Sequence, residues 1–171
     1  MKQCRIAITT KCNMTCSYCC MKQDKILNSF KKIQKLEQLP ELNQYVSFAV
    51  TGGEPLLPCV EGRLFALLTA LKQQQKPIYL YTNGLNLTPP LAADIGKYVD
   101  GINIGLHKID IDLMYKLIRI HKEILPIRVL VWEKLCPPYI EELCNEHGIA
   151  LRKWKMDDCD IENEDRVLWE D

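Results

Sequence analysis

Apolar and polar positions along this chain follow two periods, and the periods take turns. Residues 4–9 form a short apolar run and read as a first strand. Ile26, Phe30 and Ile33 then set an apolar stripe on a predicted helix. Tyr45 to Val50 reads as a second, buried strand. Leu64, Leu67, Leu68 and Leu71 recur at i, i+3, i+4 and i+7, the helix period. Pro77 to Tyr81 is a third strand, ended by Thr82-Asn83-Gly84. Thr88 ahead of Pro89 predicts an N-cap with proline in the first turn, and Leu91, Ile95, Tyr98 and Val99 continue that helix. Strands at 102–106, 127–131 and 149–154 follow. One intervening helix is striped by Leu113, Leu117, Ile120 and Ile124; the next carries Ile140, Leu143 and Cys144 inward and ends at Gly148. Strands alternating with helices predict an α/β fold with a parallel sheet and right-handed crossovers.

Composition adds bounds. A length of 171 residues with 47% hydrophobic positions suits one domain with a substantial core. No apolar stretch reaches the length of a membrane span, and the N-terminus does not read as a signal peptide. Nine cysteines without a leader point to a reducing cytoplasm rather than to disulfides. The net charge of zero hides an asymmetry. Residues 157–171 hold eight acidic groups and one basic group, Arg166, whereas residues 1–156 hold 21 basic and 14 acidic groups. This predicts a core domain over 1–156 and an acidic C-terminal tail over 157–171. A basic core would attract an anionic substrate or partner, with Lys22, Lys25, Lys31, Lys32 and Lys35 supplying part of the field.

The chemistry concentrates in one loop. Cys12, Cys16 and Cys19 follow the first strand with the spacing C-x3-C-x2-C and an aromatic residue, Tyr18, before the last cysteine. Three thiolates from one tight loop can hold three irons of a 4Fe–4S cubane, and the fourth iron stays open for chemistry. The alternatives are free thiols or a zinc site, though structural zinc wants four ligands and Cys20 is awkwardly adjacent to Cys19. A second motif, Thr51-Gly52-Gly53-Glu54-Pro55-Leu56, follows the second strand. Paired glycines let backbone approach a ligand without a side-chain clash.

Together these two motifs resemble the radical S-adenosylmethionine (SAM) superfamily, over about residues 4–154. The resemblance implies a partial (βα)6 TIM-like barrel with ligands at the strand C-termini, where both motifs fall. It implies a 4Fe–4S cluster on Cys12, Cys16 and Cys19, with SAM chelated by the open iron. It assigns Gly52, Gly53 and Glu54 to the SAM amino group and sets Tyr18 beside the adenine. It also implies an external electron donor such as flavodoxin or ferredoxin, and reductive cleavage of SAM to a radical that takes a hydrogen atom from substrate.

Further candidates come from strand ends. Side chains alternate in a strand, so Asn103, Gly105 and His107 share a face opposite Ile102, Ile104 and Leu106. Many members of the family carry Ser-x-Asp where this chain has Gly105 and His107. His107 could bind substrate or move a proton, and Asn103 would line the site. Asn83 either touches SAM or shapes a turn. Arg128 or Glu133, flanking the fifth strand, could reach the SAM carboxylate or ribose. His121 and His147 read as surface residues. Cys4, Cys59, Cys136, Cys144 and Cys159 read as buried or incidental thiols.

The substrate is less legible. A minimal barrel is open on its side, which suits a peptide, a nucleotide or a protein segment. Glycyl-radical activating enzymes, 7-carboxy-7-deazaguanine synthases and peptide maturases each share some features with the chain. The other readings are a non-catalytic iron–sulfur protein and a zinc-stabilised nucleic-acid binding module.

Overall fold

In the computed structural model, residues 2–108, 110–155 and 164–170 are described. Eight strands form one parallel sheet: β1 (Lys2–Ala7), β2 (Lys31–Ile33), β3 (Tyr45–Thr51), β4 (Ile78–Thr82), β5 (Gly101–Leu106), β6 (Ile127–Trp132), β7 (Ala150–Trp154) and β8 (Glu164–Trp169). Five α-helices accompany them: α1 (Asp24–Leu27), α2 (Glu61–Lys72), α3 (Pro89–Gly96), α4 (Ile111–Glu123) and α5 (Pro138–Glu146). The strand order is β2-β8-β1-β3-β4-β5-β6-β7.

Six of these strands, β1 and β3 to β7, match the six expected from the sequence, with ends displaced by two residues at most. Their outward faces explain the helices. Ile78 and Leu80, Ile102 and Ile104, and Ile127 and Val129 pack in one cluster with the α2 stripe, Leu64, Leu67, Leu68 and Leu71. These side chains are almost fully buried, and each contributes roughly 1.5–3 kcal/mol relative to an exposed position. Thr88 caps α3 as expected, accepting the Leu91 N–H. Gly148 closes α5 with a positive φ of 68°.

Two expectations are corrected. Ile26, Phe30 and Ile33 do not form one helical stripe. The helix is a single turn, α1, and Ser29 closes it by donating its hydroxyl to the Ile26 carbonyl at 2.6 Å. Ile26 and Phe30 then pack with Ala7 and Leu168, while Ile33, on β2, joins the main core. Second, residues 164–169 of the expected acidic tail form β8 between β1 and β2. The acidic composition hides an alternation. Glu164 turns to Arg5, and Asp165 turns to Lys2 and Tyr45. Val167 and Leu168 are each 2% exposed. Residues 157–163 and 171 of that segment, Cys159 among them, lie outside the described residues.

The sheet is open between its edge strands β2 and β7 and curls into a partial barrel. Arg152 and Trp154 of β7 line the same cavity as Glu164 and Arg166 of β8, although five strands separate β7 from β8 in the sheet. Inward faces therefore converge on a lumen. Among the described residues no helix is long and apolar enough to cross a membrane.

Candidate active site

The loop after β1 and the loop after β3 are built into each other. Ile8 N–H donates to the Thr51 carbonyl at 2.9 Å and prolongs the ladder past the strand. Gly53 N–H then reaches the Thr9 carbonyl and Glu54 N–H the Lys11 carbonyl, both at 2.8 Å. A Cβ on Gly52 would stand 2.7 Å from the Thr9 oxygen, and one on Gly53 would stand 2.6 Å from the Thr10 oxygen and closer still to Lys11. The paired glycines therefore admit the backbone that launches the cysteine loop. This is a different use from the ligand approach that the motif suggests, although both glycines also line the cavity.

Glu54 is engaged within the protein. It is 1% exposed and does not line the cavity. Oε1 accepts from the Thr82 hydroxyl at 2.6 Å and the Leu56 N–H at 2.8 Å; Oε2 accepts from the Asn83 N–H at 2.8 Å. Burial pushes its pKa up, against the pull of these three donors. The carboxylate thus holds the turn after β4. That turn in turn holds the cysteine loop, because Asn83 Nδ2 donates to Asn13 Oδ1 at 2.7 Å, between Cys12 and Cys16. Lys116 of α4 closes the turn from behind, donating to the Gly84 carbonyl at 3.0 Å.

Cys12, Cys16 and Cys19 line one cavity of about 460 Å³ with Gly52, Gly53 and Asn83. The Met14 N–H points at Cys12 Sγ at 3.4 Å, a donor suited to a thiolate. Burial pushes the Cys12 and Cys16 thiols up, and neighbouring thiolate charge adds to the effect at both. Cationic iron would relieve that repulsion. Among the described residues no three His, Cys, Asp or Glu side chains stand close enough to share a single metal ion. A cubane asks for less convergence, since each thiolate binds its own iron. The donor set therefore fits a 4Fe–4S cluster.

Above the strand ends lies an aromatic cluster. Tyr18, 8% exposed, stacks on Trp132 with centroids 4.2 Å apart and contacts Trp154 at 6.0 Å and His107 at 5.6 Å. Its hydroxyl donates to the His107 carbonyl at 3.3 Å. Tyr18 is thus committed to protein rings, whereas the resemblance sets it beside an adenine. His107 lines the cavity, its Nδ1 is buried without a hydrogen-bond partner among the described residues, and burial lowers its pKa. Asn103 and Arg128 line the same cavity from β5 and β6. Glu133 faces outward to Lys155 in an exposed ion pair.

The sequence reading missed several residues here. Trp132 and Trp154 pair across β6 and β7, and Arg152 precedes Trp154 on the same face. Strand alternation from Arg128 was the available signal. Arg63 gave none: from α2 it donates to the carbonyls of Ile8 at 2.8 Å and Trp169 at 3.1 Å, joining the exit of β1 to β8.

Residues 6–129 match the family model described as the Radical SAM superfamily. The chain belongs to the radical SAM superfamily. Similar relatives include a probable GTP 3′,8-cyclase of Methanococcus aeolicus, 30% identical over 68% of this chain and 41% of that protein. A GTP 3′,8-cyclase of Rhodobacter capsulatus is 31% identical over 67% of this chain and 35% of that one. This radical SAM chain therefore spans well under half the length of either. Among solved structures, Streptococcus suis SuiB bound to S-adenosylmethionine superposes with a TM-score of 0.61 at 14% identity, covering 96% of this chain and 42% of SuiB. The anSMEcpe structure with bound AdoMet and the Kp18Cys peptide gives a TM-score of 0.55 at 17% identity, over 87% of this chain and 49% of that one. These two share the radical SAM fold with this chain.

Proposed function

We propose that this chain is a radical SAM enzyme that abstracts a hydrogen atom from an organic substrate, a peptide, a nucleotide or a protein segment. Cys12, Cys16 and Cys19 would hold the 4Fe–4S cluster. Bound there, the cluster supplies one electron that splits SAM into methionine and a 5′-deoxyadenosyl radical, which leaves as 5′-deoxyadenosine after taking a hydrogen atom from substrate. The electron comes from a small external donor such as flavodoxin or ferredoxin, in a reducing compartment such as the cytoplasm.

The observation that carries this reading is the interlock of the two motifs. The Gly52-Gly53 loop and the cysteine loop share backbone hydrogen bonds and border one cavity. Backbone groups of Gly52 and Gly53 would meet the methionyl amine of SAM beside the cluster. Glu54 acts through Asn83, as a positioning residue, rather than on SAM itself. Arg128 offers a guanidinium to the SAM carboxylate, and Asn103 a side-chain amide to the ribose. His107, its pKa lowered by burial, presents an imidazole at the cavity wall where substrate would lie. Tyr18 and Trp154 of the aromatic cluster line that end of the lumen, with Trp132 stacked on Tyr18.

The test is anaerobic reconstitution with iron and sulfide, reduction, addition of SAM and assay of 5′-deoxyadenosine. The expected result is production that needs all three loop cysteines, together with loss of the iron–sulfur chromophore in the Cys12→Ala, Cys16→Ala, Cys19→Ala triple variant. A chromophore retained by that variant, or zinc held in place of iron, would overturn the assignment.

A further inference from the structure

Among the described residues, the lumen of the partial barrel is lined by more guanidiniums than carboxylates. Arg5, Arg128, Arg152 and Arg166 all line it. One carboxylate, Glu164, stands among them, and its Oε1 already accepts from Arg5 at 2.8 Å and from Arg166 at 3.1 Å. Arg128 and Arg152 have no carboxylate partner among the described residues.

The sheet register places these two guanidiniums together. Across β6 and β7, Leu130 pairs with Arg152 and Arg128 with Ala150, so the arginines stand diagonally on neighbouring strands. Both lie on the face that ends in the paired Trp132 and Trp154. The contrast with the next residue is informative. Lys153 faces the other side of β7 and is ion-paired with Glu141. The outward cation of this strand has found a carboxylate and the inward one has not. Both arginines are exposed, so solvent screens their mutual repulsion, while the curled sheet focuses their field into the cavity.

SAM does not supply the missing charge. Its single carboxylate can engage one arginine, for which Arg128 is the candidate. Its sulfonium and ammonium leave the cofactor with one net positive charge, which the net negative charge of a three-thiolate cluster in the same cavity offsets, so the pair leaves the arginines uncompensated. Arg152 is left available to a second oxyanion. A guanidinium fork suits a carboxylate or a phosphate, which it binds through two parallel hydrogen bonds.

We propose that Arg152 anchors an oxyanion of the substrate, carboxylate or phosphate, against the lumen face of β6 and β7. Calling that ligand the substrate rests on the function proposed above; the anion site itself does not. The experiment therefore uses the full chain with neither cluster nor SAM. Binding of inorganic pyrophosphate and of malonate is measured by calorimetry at constant ionic strength. The chains compared are the wild type, Arg152→Gln, Arg152→Lys and Arg119→Gln.

The expected result is saturable binding of at least one anion. Arg152→Gln should weaken it at least about tenfold, and Arg152→Lys should weaken it less, because a point charge replaces the fork. Arg119→Gln, on α4 and paired with Glu123, should bind as the wild type does. Preference for pyrophosphate marks a phosphorylated substrate; preference for malonate marks a carboxylate. Binding unchanged in Arg152→Gln, or no saturable binding of either anion, overturns the proposal. Melting curves check that each variant folds, and Arg152→Lys still decides the question if the glutamine variant does not. Absence of 5′-deoxyadenosine in the separate turnover assay would sink the proposed function and leave this result standing.

Discussion

The imidazole of His107 lies over Gly105: a Cβ built on the glycine would stand 2.6 Å from His107 Nε2. The ring fills the room that a side chain at position 105 would need. The two departures from Ser-x-Asp at this strand end are therefore one exchange, in which removal of a side chain at 105 admits the larger ring at 107. The ring is the far end of a side chain, so it can yield. Gly105→Ser should push it toward solvent and away from Tyr18. Burial now holds the His107 pKa below its ordinary value of 6.5. In the variant the imidazole should titrate closer to 6.5, as read from its ring-proton NMR shifts. An unchanged titration would mean that the ring does not lie where the geometry puts it.

Gly53 cannot yield in the same way, because its neighbours are the backbone carbonyls of Thr10 and Lys11. Gly53→Ala should cost about 1–3 kcal/mol, as overpacking of a fixed neighbourhood does, and should lower iron uptake by the cysteine loop. Gly62 is the control. Nothing stands within 4 Å of a Cβ there, and the residue lies in the first turn of α2. Gly62→Ala should stabilise the chain by up to about 1 kcal/mol. Urea denaturation of both variants gives the comparison, and equal destabilisation by the two would contradict the interlock.

Glu54→Gln separates a positioning role from a ligand role. The amide would face a donor N–H with a second donor, because all three partners of the carboxylate are donors. The expected loss is about 1–3 kcal/mol in the chain without cluster or SAM, the cost of leaving a buried donor unsatisfied. A residue that served only to bind SAM would leave the stability of that chain unchanged.

His121 makes the stability pH-dependent. Its Nδ1 accepts the Ile127 N–H at 3.0 Å, at the start of β6, which requires an unprotonated nitrogen. Burial first, and Lys122 second, hold its pKa below 6.5. A depressed folded-state pKa contributes stability that is present above 6.5 and lost as pH falls through the lower, folded-state value. His107 acts in the same direction. Denaturation midpoints should therefore fall below about pH 6.5, and His121→Gln should flatten part of that fall. A variant with the wild-type pH profile would remove His121 from the account.

What the sequence reveals here depends on how local each determinant is. Cys12, Cys16 and Cys19 sit in one loop, and Leu64 to Leu71 on one helix face, so spacing alone reports them. Asn103 and His107 follow from alternation along β5. Arg63, by contrast, acts on Ile8 and Trp169, far away in the chain, and nothing in its neighbourhood announces this. Glu54 was legible as a motif residue but its hydrogen bonds were not, because its partners Thr82 and Asn83 belong to another loop. The acidic run at the C-terminus misled for a related reason. Composition counts charges without their partners, and Glu164 has Arg5 while Asp165 has Lys2 and Tyr45.

That segment supplies the last prediction. Among the described residues β8 is the sole sheet partner of β2 and one of the two partners of β1. Removing residues 164–171 would expose Ala7, Ile26 and Phe30, which pack on Leu168, and would strip Val167 from the main core. It would also leave Arg5, beneath Tyr81 in the lumen, without the Glu164 carboxylate. Uncovering a buried charge adds to the loss of apolar contact. A chain ending at residue 163 should therefore fail to melt cooperatively and should expose apolar surface to a hydrophobic dye. A solvated tail would leave both measurements at their full-length values. Arg5→Met in the truncated chain should recover part of the loss, because it removes the orphaned guanidinium; no recovery would show that the missing strand contacts, rather than the charge, set the cost.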